Sequence, residues 1–329
     1  MIQRLVGRVV GWVATRSRAA LLLASVALLA IFAATSCDTR QVTEPVPTGV
    51  VWTRVTDSSA VQIPFYPDWR GDSIVFEYFN SAGHSRFAIM HESGTGLRYL
   101  AGGPPQTNDR DPRWVTGDIL VFTSNRSIAS WDIWYETIST GVVRRITATG
   151  SLEEWDPSPR PGQPGLVYTE GVGPAQGRVA VIPDSAAVPI TKIFLSPDSL
   201  NSGEASWDPT GNRICFSADS TDGSRHIWVA TLSPGDTTLT QLTVGPIHDF
   251  HPRFSPDGTR IYFTSDRTAR SGLWWVSPNG EANGLDVVAF EDAGALISTF
   301  AISPDGTRIV LSSDGRGFGR SLWVLSNIP

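Results

Sequence analysis

Six short fragments carry most of the residues in this chain that could bind or react: YPDW, DPRW, DPSP, EASW, HPRF and TFAI. They place Tyr66, Asp111, Asp156, Glu204, His251 and Thr299 at corresponding positions. Five of these can ligate a cation or accept a hydrogen bond, and three are carboxylates. Asp109, Glu153, Glu154, His248 and Asp249 lie beside them in sequence. The most ligand-like piece is His248-Asp249-x-His251, because imidazole and carboxylate together suit a divalent transition metal. Other chemistry finds less support. An enzyme needs a nucleophile with a base, or two carboxylates at a working separation. Glu153 and Glu154 are adjacent and would face opposite sides of a strand. No serine stands in a recognisable catalytic setting, so no catalytic residue is assigned. His84 and His91 fall in a loop and an early strand, and no role is expected of them.

The fragments share a register because the chain repeats. SPDGTRI occurs at 255–261 and again at 303–309, and weaker copies lie upstream. Their turn glycines, Gly71, Gly117, Gly162, Gly211, Gly258 and Gly306, are spaced 46, 45, 49, 47 and 48 residues apart. Ser-Pro-Asp-Gly is a turn sequence, with Pro where its fixed φ fits and Gly at the fourth position. An alternating strand follows each turn, as in Arg260–Thr264. Next come a Trp-bearing strand (IWYET, HIWVAT, LWWVS, SLWVLS) and a last one with Leu or Ile and Thr (RRITATG, TQLTVGP). Trp134, Trp228, Trp274 and Trp323 recur once per unit, which predicts core packing between units; Trp131 and Trp275 fall outside that register. Short strands, regular turns and a period in the forties predict an all-β fold, a six-bladed β-propeller of four-stranded antiparallel blades. The last unit lacks an outer strand, and GVVWTRVTDSS at 49–59 has the pattern of one. A strand at about 49–58 is expected to complete the last blade and close the ring, removing two sheet edges. In such a ring the six fragments converge on one mouth of the central channel. Two readings of that mouth stand: a polar, acidic site for a metal, a cationic group or a partner's basic segment, or acids that satisfy strand-end backbone groups beside solvent.

The first 36 residues read as a signal peptide. Arg4, Arg8, Arg16 and Arg18 precede the apolar run AALLLASVALLAIFAA, and no acid occurs before Asp38. The run has 16 residues, fewer than the roughly 20 that span a bilayer. Ala34-Thr35-Ser36-Cys37 resembles the bacterial lipobox, which implies lipidation at Cys37, with ordinary cleavage after Ser36 as the alternative. Residues 37–48 then form a tether to a domain at 49–329. Without the first 36 residues the formal charge moves from −6 to about −10, which speaks against a nucleic-acid partner. The other cysteine, Cys215, lies in the strand-like RICFS, so no disulfide framework is expected.

The repeats, most clearly SPDGTRIYFTSDR, SPDGTRIVLSSD and the Trp-bearing strands, resemble the WD40-like PD40 repeats of TolB-type propellers over about 49–329. They also resemble the propellers of prolyl oligopeptidase-type and dipeptidyl peptidase-type enzymes. The resemblance implies the fold and a periplasmic compartment. It transfers neither the Tol role nor peptidase activity: TolB has a further α/β domain before its propeller, and no Gly-x-Ser-x-Gly elbow is present here. The expectation is a monomeric binding or scaffold lipoprotein on the periplasmic side of the cell envelope, docking a protein or small ligand at the channel mouth. Which membrane would hold it is left open. The rival is a metal-assisted hydrolase or lyase acting on envelope carbohydrate or peptide.

Overall fold

The computed structural model describes residues 49–329, apart from 57–62, 128–129, 173–175, 188–189, 198, 234–235, 269 and 293. The signal segment, the tether and Cys37 lie outside the described residues. No helix among the described residues is long and apolar enough to cross a membrane.

The repeated turns form as their residues dictate. In Ser255-Pro256-Asp257-Gly258, the Gly258 N–H donates to Ser255 O at 2.9 Å, and Gly258 takes a φ of 70° that favours glycine. Asp257 Oδ1 accepts from Ser255 Oγ at 2.5 Å and from Thr259 N at 3.0 Å. Ser303–Thr307 repeats this, with Asp305 accepting from Ser303 Oγ at 2.5 Å and Thr307 N at 3.0 Å. These bonds favour the ionised form and hold the Asp305 carboxyl down to about 2. Both aspartates close their own turns.

Between the turns the chain builds six four-stranded antiparallel sheets. After β1 (Val51–Arg54) comes blade one, made of β2 (Phe65–Arg70), β3 (Ser73–Phe79), β4 (Ser85–His91) and β5 (Arg98–Tyr99). Blade two is β6 (Asp109–Thr116), β7 (Ile119–Ser124), β8 (Asp132–Thr137) and β9 (Val142–Arg145). Blade three is β10 (Glu153–Pro159), β11 (Leu166–Gly171), β12 (Gly177–Ile182) and β13 (Ile193–Phe194). Blade four is β14 (Ser202–Trp207), β15 (Arg213–Asp219), β16 (Arg225–Ser233) and β17 (Asp236–Gln241). Blade five is β18 (Asp249–Phe254), β19 (Ile261–Ser265), β20 (Gly272–Val276) and β21 (Leu285–Phe290). Blade six is β22 (Ile297–Ile302), β23 (Ile309–Ser313) and β24 (Ser321–Ser326), completed by β1. That pairing places Val51 opposite Ser326 and Arg54 opposite Trp323, so the early strand closes the ring as expected. The part of the expected strand beyond residue 56 lies outside the described residues.

The first strands of successive blades, β2, β6, β10, β14, β18 and β22, touch one another in cyclic order, and β22 returns to β2. They are the innermost strands and surround the channel. Alternation along the second strands then feeds two cores at once. Ile261 and Phe263 pack toward blade four with Cys215 and Ile227, while Tyr262 packs toward blade six with Leu311 and Trp323. Six such clusters fill the six junctions between blades. The recurring tryptophans sit opposite large apolar residues, as Phe122–Trp134, Phe216–Trp228, Phe263–Trp274 and Leu311–Trp323. Arg126 and Arg267 lie over these ring pairs, 4.9 Å from Phe122 and 5.1 Å from both Phe263 and Trp274. Trp131 and Trp275, outside the register, each carry an arginine on the ring, Arg110 at 4.8 Å and Arg260 at 4.4 Å.

The Leu/Ile-Thr signature lies differently from the expectation. Ile146-Thr147 and Leu242-Thr243 follow β9 and β17 instead of lying within them. There the hydroxyl takes over from the ladder: Thr147 Oγ1 accepts from Ile133 N at 2.9 Å, and Thr243 Oγ1 from Ile227 N at 2.9 Å. Thr56 does the same for Leu322 N at 2.8 Å, and Ser196 for Val179 N at 3.1 Å. Each hydroxyl caps a buried amide of the third strand where the fourth strand ends. Thr243→Val is therefore expected to lower unfolding stability by about 1–3 kcal/mol, the cost of an orphaned buried N–H. Thr240→Val, on the exposed side of β17, should change it by less than about 0.5 kcal/mol. Urea midpoints of the two variants check this, and equal midpoints would refute the capping role.

Candidate functional site

The six residues expected at the channel mouth lie inside the innermost strands rather than before them. The strand after each turn is the second of its blade, and the residues ahead of the turn form the first strand. A β-bulge in each one hides it. Pairing slips between Phe65 and Asp68, Arg110 and Arg113, Trp155 and Ser158, Gly203 and Ser206, and Phe250 and Arg253. Tyr66, Asp111, Asp156, Glu204 and His251 are the first residues of these five bulges, and all are left-handed, with φ of 46°, 53°, 54°, 58° and 53°. Proline follows four of them, at Pro67, Pro112, Pro157 and Pro252, as a bulge tolerates a residue that cannot donate to the ladder. In β22 the slip covers Ser298 and Thr299, and neither is left-handed. A β-branched residue is strongly disfavoured there.

A bulge leaves an amide without a ladder partner, and the adjacent blade supplies one. Tyr66 N donates to Thr299 Oγ1 at 2.8 Å. Asp111 N donates to Glu77 Oε2 at 3.4 Å, and Asp156 N is directed at the Asp111 carboxylate. Glu204 N reaches Thr169 Oγ1 at 3.3 Å, and His251 N reaches Glu204 Oε2 at 2.9 Å. The backbone-satisfying reading thus describes part of what these side chains do. It also explains why they converge.

Convergence sets the electrostatics. Burial pushes the Glu77 carboxyl up to about 8, and the neighbouring Asp111 adds to it. Asp111 is raised by burial, partly offset by Arg113 and Arg110. Asp156 is raised well above the usual carboxylate range by burial, then by Asp111 and Glu204. Tyr66 is raised by burial and by Asp111 and Asp156. Glu204 goes the other way: burial would raise it, but His251, Arg225 and hydrogen bonds outweigh that and hold it low. Its carboxylate lies 3.3 Å from His251 Nε2 and accepts from Ser217 Oγ at 2.6 Å. The Tyr66 ring meets the His251 ring edge-on at 6.4 Å between centroids. Asp111 Oδ1, His251 Nδ1 and Arg110 Nε are among the buried atoms that lack a protein partner.

Glu77 was missed by sequence reasoning because it belongs to the second strand of blade one. The available signal was a lone charge in SIVFEYF, a position that is buried. Arg113 and Thr169 were missed because they act across a blade junction, and Ser217 and Arg225 because they reach Glu204 from other strands of its own blade.

The expected metal trio does not assemble. His248 Nδ1 lies 3.0 Å from Asp266 Oδ2, and its Nε2 lies 3.2 Å from Gly223 O. Asp249 is fully buried and paired with Arg267 at 3.0 Å, while His251 turns to Glu204. Successive strand residues point to opposite faces, and the bulge after Phe250 breaks the relation between Asp249 and His251. Among the described residues no three His, Cys, Asp or Glu side chains are grouped to hold a metal ion.

Residues 192–324 match the family model of the TolB β-propeller domain, PD40. Among solved structures, TolB from Acinetobacter baumannii is similar at 17% identity with a TM-score of 0.60, covering 79% of this chain and 66% of that one. A puromycin-hydrolysing peptidase of Mycobacterium tuberculosis is similar at 14% identity with a TM-score of 0.55, over 83% of this chain and 46% of that one. An oligogalacturonate lyase from Vibrio parahaemolyticus is similar at 11% identity with a TM-score of 0.55, over 85% and 94% of the two chains. This chain thus spans just under two thirds of the first and under half of the second. Its fold is a six-bladed propeller similar to that of TolB, with the PD40 match over residues 192–324, and proteins with different names share this architecture.

The raised Glu77 carboxyl gives the ring a pH signature. Its folded value, about 8 against an ordinary 4.5, means that the folded state binds the extra proton in between. The contribution of Glu77 to stability therefore falls as pH rises from about 4.5 to 8. Glu77→Gln, which needs no proton, should raise the melting temperature more at pH 8 than at pH 5. An equal effect at both would contradict the assignment.

Proposed function

We propose that this protein is a cell-envelope binding platform, lipid-anchored at Cys37 on the periplasmic side, whose channel mouth docks a cationic group of a protein or small ligand. The observation that carries the reading is the convergence of Glu77, Asp111, Asp156 and Glu204 from four different strands, with Asp111 Oδ1 left without a protein partner. Buried carboxylates in such proximity disfavour their own ionisation, and an incoming positive charge relieves that cost. The lateral hydrogen bonds between blades fix the ring before any ligand arrives, which lowers the ordering cost of binding. Docking fits this geometry better than metal-assisted hydrolysis or elimination. His248, Asp249 and His251, the residues that would hold the metal, are engaged with three separate partners. The acidic balance of the chain is in keeping with a basic ligand.

Thermal unfolding of the full-length protein in detergent, with tetra-arginine or tetraglutamate added, tests the docking claim. A ligand at 100 times its dissociation constant stabilises a fold by about 2.7 kcal/mol. Tetra-arginine should raise the melting temperature, and Asp111→Asn with Asp156→Asn should remove most of the rise. Equal stabilisation by tetraglutamate, or none by tetra-arginine, would count against a cationic ligand. The anchor is tested separately by Cys37→Ser, which should move the protein from the membrane fraction to the soluble one. Unchanged fractionation would rule the lipid anchor out.

A further inference from the structure

A cavity outside the channel ring lies beside the ends of β11 and β12 in blade three. It encloses about 710 Å³, within the range of about 300–1,000 Å³ that small-molecule sites occupy. Leu152, Glu170, Val172, Arg178, Lys192 and Phe194 are among its walls, and the six aligned channel residues are not. Two glycines leave its rim bare. Gly171 ends β11, Gly177 begins β12, and the two are paired across the ladder. A Cβ on Gly171 would strike Gln176 O, and one on Gly177 would lie 2.8 Å from Ser202 O. The backbones therefore approach too closely for a side chain at either position. The corresponding pair in blade four is Asp219 and Arg225, which form an ion pair. Blade three has no side chains where blade four carries a bridge. Next to the glycine pair, Val172 is 65% exposed.

The wall beneath this rim is charged. Glu170 is buried, and Lys192 Nζ donates to both of its carboxylate oxygens, at 2.8 Å and 2.6 Å. Lys192 is the only lysine among the 26 lysine and arginine residues of the chain. An ammonium carries three donors on one nitrogen, so Glu170 leaves one N–H of Lys192 unused. Arg178 lies over the Phe194 ring at 3.8 Å, and Lys192 Nζ lies 5.2 Å from the same ring. The charged lining is thus Lys192 and Arg178 against Glu170, a net charge of +1, in a chain that sums to −6. Glu153 and Glu154, on the adjacent strand β10, do not line the cavity.

We propose that this cavity binds a small molecule with a single carboxylate on an apolar body. The carboxylate accepts from the unused N–H of Lys192 in the positive field of Arg178, and the body lies against Leu152, Val172 and Phe194. A monoanion matches the net charge of the lining. A phosphate monoester brings a second negative charge, which the lining does not balance and Glu170 repels. Complementarity of this kind sets specificity and orientation. The inference goes beyond the channel reading and stands without it.

Growth on lysine labelled with carbon-13 at Cε gives the protein one lysine signal, that of Lys192, without altering the side chain. The test follows this signal by NMR in the full-length protein in non-ionic detergent at pH 7, during titration with benzoate, benzamide or phenyl phosphate. Benzoate should move the signal saturably. Benzamide, the same body without the charge, should bind about tenfold more weakly, as expected for loss of a hydrogen bond between charged groups. Phenyl phosphate should bind no more tightly than benzoate. Tetra-arginine, the channel probe, should not displace benzoate. No movement with benzoate up to its solubility, or equal affinity for benzamide, would overturn the carboxylate site. Tighter binding of phenyl phosphate would overturn the single-charge requirement. Displacement of benzoate by tetra-arginine would assign the binding to the channel and overturn a separate cavity site.

Discussion

An amide that loses its ladder partner at a β-bulge and remains buried must find another acceptor, and much of the channel follows from that requirement. Each innermost strand bulges near its start, and in five of them the free N–H points sideways to the preceding blade. Leaving it unpaired would cost about 1–3 kcal/mol, so the neighbour must present an oxygen. Glu77, Asp111, Thr169, Glu204 and Thr299 do so. Because the acceptors are often carboxylates, satisfying the backbone also gathers acids around one axis. The scaffold requirement and the binding chemistry therefore fall on the same atoms. What separates them is the capacity left over, at Asp111 Oδ1 and His251 Nδ1.

The architecture was largely legible in the sequence because each unit writes its own turn. Ser-Pro-Asp-Gly closes on itself through Asp257 or Asp305, a local event that any copy repeats. The closing strand was legible for a similar reason, since Val51–Arg54 has the pattern of an outer strand without a blade of its own. The innermost strands were harder to see. Their bulges break the alternation of strand residues, and Pro67, Pro112, Pro157 and Pro252 read as loop signals. The corresponding positions were still legible, because the fragments ahead of the turns align with one another although their distance to the turn glycine varies from five to seven residues.

Partnerships between strands, within a blade or across two, were not legible. Nothing near Glu77 in the chain points to Asp111, which lies 34 residues away. Nothing near Asp249 indicated that Arg267 would occupy it, although TSNR and TSDR repeat the same clamp on Asp109 and Asp249. His248, Asp249 and His251, neighbours in sequence, each have a separate partner, on a strand where successive side chains point apart. Asp249 belongs to the aromatic-arginine layer between blades, and His248 to an exposed pairing with Asp266.

A channel whose acids differ in proton affinity is the central feature of this account. Glu77 and Glu204 are the same residue type in one ring, one driven up by burial and Asp111, the other held down by His251 and Arg225. Carbon-13 NMR titration of the glutamate side-chain carboxyls, assigned with Glu77→Gln and Glu204→Gln, measures that difference directly. The account predicts a Glu77 midpoint near 8 and a Glu204 midpoint below the ordinary 4.5. Two midpoints together near 4.5 would show that the ring is open to water like any surface, and the account would fail.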